Sequence, residues 1–356
     1  VSTALGLVLL LVGGVAALGW ARRRSDVPPA DWHPDPFVTL PRERYWDGQT
    51  WTTATRAGPT RARRGRRFRG RFWSLRWVVP ALAAVAVVVV GGAIWLRTHP
   101  IAVLVALSAV GMALVCLAFY RFVERQLDLA EVIGLREVVA IAVATAGVVL
   151  IVALRLNDAI LTHFGLTVAL GTVGLVEEGT KLLVPLALYA LGRYRNARAG
   201  VAAGLAAGFG FAVTETSRYA MTLPLGGAPD PCTGATLTAM APDEALVGQV
   251  VRIALVSPLH WLWTGIAVTV IWRQWRLSGV RLTGPVLAAV VFVMATHSLI
   301  DSSSVWTCDA PPAGVLLKIA ASWLSPFALY LVFRSVARRS LPPQLVGFVS
   351  RGWHPR

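Results

Sequence analysis

The sequence predicts an all-α polytopic membrane protein of about nine transmembrane helices. Its N-terminus is expected outside, its C-terminus in the cytoplasm, and a small cytoplasmic aromatic hairpin is inserted after the first helix. Three observations carry this. Apolar residues fill 56% of the 356 positions and charged residues only 15%, with a mean hydropathy of +0.62, whereas a soluble domain carries about 25% charged residues. The apolar residues fall in runs long enough to cross hydrocarbon about 30 Å thick as helices. The net charge of +16 is almost all arginine, since of 34 basic residues only Lys181 and Lys318 are lysine, and it gathers on alternate sides of the runs. The same composition excludes a disordered, collagen-like or coiled-coil chain, and three cysteines are too few for a disulfide scaffold.

The runs lie at 3–20, 77–96, 101–120, 138–156, 165–191, 199–217, 247–271, 284–303 and 313–333. Strands facing lipid would leave backbone groups unsatisfied, so the runs are helices. Arg22, Arg23 and Arg24 follow the first run. A cleaved signal peptide carries its charge before the run, so residues 1–24 are expected to form an uncleaved N-terminal transmembrane anchor. Residues 25–58 form a small cytoplasmic Trp-rich domain, in which Pro34 and Pro36 mark turns and Asp47-Gly48 is a hairpin signal between Tyr45-Trp46 and Trp51. With Trp32 these rings can build a small aromatic core. Residues 59–76 are a basic juxtamembrane linker; its run R-A-R-R-G-R-R-F-R-G-R-F-W at 61–73 abuts a span and reads as a contact with anionic lipid, at about 1 kcal/mol per arginine, with no nucleic acid expected. Residues 77–335 form a core of eight helices, and 336–356 a cytoplasmic tail.

Orientation follows from the arginines. The segments 21–76, 121–137, 192–198, 272–281 and 334–356 hold nearly all of them, while the alternate loops hold only Arg97 and Arg218, beside Asp158, Asp230, Asp243, Glu244 and Asp309. Positive charge marks the cytoplasmic side.

Ionisable groups inside the hydrocarbon cost about 2.5–3.5 kcal/mol each and mark function when they cluster. The second to fourth spans carry essentially none away from their ends. The fifth carries Glu177-Glu178-Gly179-Thr180-Lys181, the sixth Phe211 and Glu215, the seventh Pro258 and His260, and the eighth His297 and Asp301. Glu177 and Lys181 share a helix face, as do His297 and Asp301, while Glu178 is rotated by roughly 100° from Glu177. Each piece alone has a plain structural explanation: a neutralised pair, a satisfied core histidine, a carboxylate near water. Four consecutive spans with such groups at similar depth point to one shared cavity open to the outside.

E-E-x-x-K, F-x-x-x-E, P-x-H and H-x-x-x-D, in that order and one per helix, resemble the PrsW-type intramembrane proteases, relatives of the CAAX protease and bacteriocin-processing superfamily. Lys181 and Glu215 stand where the wider superfamily has arginine and histidine, which marks the PrsW branch. The segment W-H-P-D-P … R-Y-W-D-G-Q-T-W-T also resembles a small domain of unknown function, typical of actinobacterial membrane proteins; its cytoplasmic partner, if residues 31–53 dock one, is unknown. The PrsW resemblance implies an endopeptidase of the bacterial plasma membrane. It would cut a membrane-anchored protein near the outer face, with an anti-sigma factor as the substrate suggested.

For that chemistry the preferred reading makes Glu177 the general base, with Glu178 as alternative, His260 a holder of the water or donor to the amine, and His297 with Asp301 the oxyanion-polarising pair. Lys181, Phe211 and Glu215 are supporting residues. The rival mechanism is metal-assisted: zinc on His260, His297 and one of Glu177, Glu178 or Asp301, with no cofactor certain. A proton-coupled transporter or a non-catalytic receptor or scaffold are the alternatives from other classes. Cys232 and Cys308 fall in separate outer loops on the oxidising side and are expected to form a disulfide over the cavity, whereas Cys116 lies at the cytoplasmic end of a span.

Overall fold

The computed structural model describes residues 2–20, 30–35, 42–47, 51–58, 74–127, 129–195, 197–226, 230, 232–233, 235–278, 281–305, 308 and 311–339. The basic run 61–73 and the tail from residue 340 lie outside these. Among the described residues, eight helices are long and apolar enough to cross a membrane. A three-stranded antiparallel sheet stands beside them in the chain, where the sequence alone suggested a two-stranded hairpin.

The sheet comprises β1 (Asp31–Pro34), β2 (Arg42–Trp46) and β3 (Trp51–Ala57), in the order β1-β2-β3. Trp46 pairs with Trp51, their rings 5.3 Å apart, and Trp46 is the buried centre of the sheet; Gly48 of the turn signal lies outside the described residues. The first strand is tied to the second by charge. Asp35, at the end of β1 and fully buried, accepts hydrogen bonds from Arg42 Nε (2.7 Å) and Arg44 Nη2 (3.1 Å) on β2.

Helix α1 (Ser2–Trp20) is wedged against α4 (Leu135–Val148). A side chain on Gly13 would meet the Ala144 backbone nitrogen at 2.3 Å, so the two backbones touch, as small residues permit between membrane helices. Helices α2 (Leu75–Thr98) and α3 (Ile101–Leu127) form an antiparallel pair; Ser74 caps the first, and His99 ends it in the left-handed conformation.

Where the sequence suggests two separate helices at 138–156 and 165–191, the structure has one helical run, Leu135–Ala190. It passes from α4 through a π-helical turn, Val149–Ala153, into α5 (Leu154–Ala190). The run nevertheless reverses direction. Gly165 adopts φ 79° and ψ 176°, which breaks the helix and is accessible to glycine at no steric cost. Asn157 and Glu177, which a straight helix would hold about 30 Å apart, are joined by a hydrogen bond of 2.9 Å. Val176 likewise packs on Val149 and Ala153. The run is a helical hairpin with its bend at Gly165.

Helix α6 (Ala197–Thr222) is the axis of the bundle, buried on nearly all sides between α3, α4 and α8 (Ser257–Ser278). Its glycines let α8 approach closely. At Gly208 a Cβ would stand 2.2 Å from Trp261 Cα, and at Gly200 2.3 Å from Trp272 Cγ, so the backbone of α8 and the Trp272 indole lie against bare backbone. Helix α7 (Pro242–Val251) runs through a second π-helical turn, Arg252–Val256, into α8. Helices α9 (Gly284–Ser302) and α10 (Pro311–Arg339) both pack on α8 and expose most of their remaining surface. A disulfide between Cys232 and Cys308, with Cα atoms 5.3 Å apart, ties the α6–α7 connection to the α9–α10 connection. Beside it Asp230 accepts from Thr233 N, Thr233 Oγ1 and Cys232 N, which hold its carboxyl below the usual range.

Candidate active site

The polar residues of the four motifs meet in one place. The second half of α5 contributes Glu177, Glu178 and Lys181, α6 Phe211 and Glu215, α8 His260, and α9 His297 and Asp301. The two π turns flank the cluster, and a π turn changes which face a helix presents without ending it. The first carries Val149 and Ala153, which pack on Phe211. The second starts at Arg252.

The two adjacent glutamates splay, and each ends on a different nitrogen of the same imidazole. Glu178 Oε1 lies 2.9 Å from His297 Nδ1, and Glu177 Oε2 lies 3.4 Å from His297 Nε2. A carboxylate only accepts, so Nδ1 is the protonated nitrogen and Nε2 is left facing the site. Trp263 stacks on this ring, 4.2 Å between centroids and 12° between planes. Glu178 is engaged at both oxygens: its Oε1 also accepts from Lys181 Nζ at 2.6 Å, and its Oε2 from Thr264 Oγ1 at 3.0 Å. The orienting contact to His297 therefore comes from Glu178, whereas Asp301 Oδ2 stands 3.6 Å away on the Nε2 side.

Lys181 is fully buried and fully engaged. Its three N–H bonds meet Glu178 Oε1, His260 Nδ1 at 3.1 Å and the ring of Phe211 at 3.8 Å. The spacing of four residues places Lys181 and Glu177 on one face, but the ion pair that forms is with Glu178, three residues away. An ammonium has no lone pair to accept with, so His260 Nδ1 is the acceptor and the proton sits on Nε2. That nitrogen lies 2.8 Å from Glu215 Oε2, though outside hydrogen-bonding alignment. Glu215 Oε2 also lies 2.7 Å from Arg252 Nη2, and the Arg252 guanidinium stands 3.6 Å over the Tyr219 ring.

Exposure rises in one direction. The side chains of Lys181, Glu178 and His297 are 0% exposed, Glu177 8%, Glu215 12% and Asp301 31%. The cluster thus opens on the Asp301 side, the end of α9 that leads to the Cys308 loop.

Glu177, His260 and His297 each offer a ligand atom within 4.8 Å of the other two. Glu177 Oε2, His260 Nε2 and His297 Nε2 are all buried without a hydrogen-bond partner, although such atoms are almost always paired. Two imidazoles and one carboxylate with a position left open match the donor set of hydrolytic zinc sites. The residues therefore fit a divalent ion. To ligate through Nε2, His260 gives up the proton that faces Glu215, as metal binding generally requires.

Sequence reasoning missed three residues. Asn157 donates to Glu177 Oε1 and so leaves Oε2 free to face the site; a neutral amide near a span end carries no signal of its own. Thr264 was legible only as one more residue of α8. Arg252 had a signal: an arginine inside an apolar span, towards the side that the charge bias otherwise keeps nearly free of arginine.

A family model described as PrsW family intramembrane metalloprotease matches residues 134–333, which is over half the chain. A second, protein of unknown function (DUF2510), matches residues 30–64, the region of the sheet. No curated protein and no solved structure matches the chain. The geometry of the site and the extent of the first match lead to one conclusion: the chain belongs to the PrsW family of intramembrane metalloproteases.

Proposed function

We propose that the chain hydrolyses a peptide bond of a membrane-anchored protein near the outer face of a bacterial plasma membrane. The observation that carries this is the convergence of three buried atoms that make no hydrogen bond, Glu177 Oε2, His260 Nε2 and His297 Nε2, in a cluster whose exposure rises towards Asp301. The hairpin at Gly165 supports nine crossings, because each of its legs is long enough to span hydrocarbon. With nine crossings the arginine bias puts the N-terminus outside, the C-terminus in the cytoplasm and the open side of the cluster outward. On this reading the domain division is the anchor 1–24, the Trp-rich domain 25–58, the basic linker 59–76, the core 77–335 and the tail 336–356. The PrsW resemblance makes an anti-sigma factor the first substrate to test.

Glu177, His260 and His297 would hold the ion, and the zinc reading is favoured over the metal-free glutamate base that the sequence alone prefers. A divalent cation such as zinc supplies Lewis acidity to water and to the scissile carbonyl when bound. The chain's own residues do the rest. Asn157 fixes the rotation of Glu177, Glu178 fixes His297, and Lys181 fixes His260 while neutralising Glu178. Asp301, the site carboxylate most open to water, takes the proton of the attacking water and returns it to the leaving nitrogen. Trp263 and Phe211 keep water out of the inner side. Proteomics of membrane-anchored proteins in cells carrying the wild type or Glu177→Gln tests the proposal: fragments with new termini near an outer membrane boundary should appear only with the wild type. Identical fragment sets would overturn it.

A further inference from the structure

Peptide hydrolysis needs groups that bind the carbonyl oxygen as it becomes an oxyanion, and beside a bound ion the geometry leaves the protein's own share of this role without its expected owner. His297, the residue the sequence suggests, is taken up at both nitrogens: Nδ1 by Glu178, while Nε2 belongs to the group of atoms that would hold the ion. Lys181 has spent all three donors. His260 has Lys181 on Nδ1, and its Nε2 is another of the atoms that would hold the ion.

Arg252 is different. Its Nε and Nη2 are buried and make no hydrogen bond, although Nη2 lies 2.7 Å from Glu215 Oε2. The guanidinium carbon stands 3.6 Å from the centre of the Tyr219 ring, so the ring and Glu215 position it between them while Nε is left without a partner. One carboxylate oxygen, Glu215 Oε2, separates it from His260. Arginine keeps its charge inside protein and presents donors in a rigid plane, which suits an anionic oxygen. The π turn that Arg252 begins brings it onto the face of α6 and α8 that carries Glu215 and His260.

We propose that Arg252 is a catalytic residue of the protease: it donates through Nε and Nη2 to the scissile carbonyl oxygen, with Glu215 and Tyr219 holding the guanidinium in place. As water oxygen bonds to the carbonyl carbon, the π pair moves onto the oxygen that Arg252 receives, and the water's proton passes to Asp301. The C=O then re-forms, the C–N bond breaks and the amine leaves with that proton. The inference rests on the proposed proteolysis, and its test keeps the two apart. The substrate is defined as a membrane protein cut by the wild type and not by Glu177→Gln; if none is found, both readings fail together.

With that substrate and the purified protein, Arg252→Gln should lower kcat by about 10²–10³-fold, the loss typical of one oxyanion donor, with KM within about threefold and the metal content unchanged. Arg252→Lys, which keeps the charge and loses the fork, should fall in between. A residue that only neutralised Glu215 would behave otherwise, since Glu215→Gln/Arg252→Gln would regain the turnover of Glu215→Gln alone. That recovery, or an Arg252→Gln enzyme within threefold of wild-type kcat, would overturn the proposal. An intact Cys232–Cys308 disulfide in each variant reports that the fold is retained.

Discussion

Replacing Lys181 by methionine tests the innermost part of the site, because it removes a charge while nearly conserving volume. Lys181 Nζ and Glu178 Oε1 are 2.6 Å apart with both side chains 0% exposed. Without the cation, Glu178 keeps only the contacts from Thr264 and His297 and becomes a buried carboxylate with no permanent counter-charge. Breaking a buried pair from one side costs about 3–5 kcal/mol. At about 2–4 °C per kcal/mol for a unit of roughly 200 residues, unfolding should come some 6–20 °C earlier. The measurement is thermal unfolding in one detergent, followed by tryptophan fluorescence. Glu178→Gln/Lys181→Met should be more stable than Lys181→Met alone, because removing both partners also removes the uncompensated charge. An unchanged midpoint for Lys181→Met, or costs of the two single substitutions that simply add, would refute the pairing and the role given to Glu178 with it.

Glu177→Gln and His260→Ala should each abolish cleavage of the membrane substrate without loss of insertion, and the double variant should resemble either single one, because the groups act as a unit; near-normal turnover in both would remove the assigned site. Chelation should inactivate the purified protein, and stoichiometric metal should co-purify with the wild type but not with His297→Ala; full activity in a metal-free preparation would restore the glutamate mechanism. Peptide mapping without reduction should recover Cys232 joined to Cys308. Cys308→Ser should cost at most about 4 kcal/mol for a link across 76 residues, since the intervening helices are already confined by the bilayer; free alkylation of both thiols in the wild type would contradict the link.

The sequence by itself determined the class of protein, most of the spans and the helices that carry the site. Hydrocarbon demands long apolar runs and tolerates charge only where it is used, so Glu177, Glu178, Lys181, Glu215, His260, His297 and Asp301 stood out against their surroundings. Helical periodicity also placed Glu177 and Glu178 on diverging faces, as the structure finds. Only the tertiary structure decided which group meets which. Spacing offers Lys181 both glutamates, and the choice of Glu178 depends on where α8 and α9 set His260, Thr264 and His297. The Glu177 contact to Asn157 exists because the chain turns back at Gly165, and the contact of Glu215 with Arg252 joins α6 to the π turn that leads into α8. These are contacts between segments remote in the chain, fixed by close packing and by the count of donors and acceptors in a space closed to water, and a linear pattern of residues records neither.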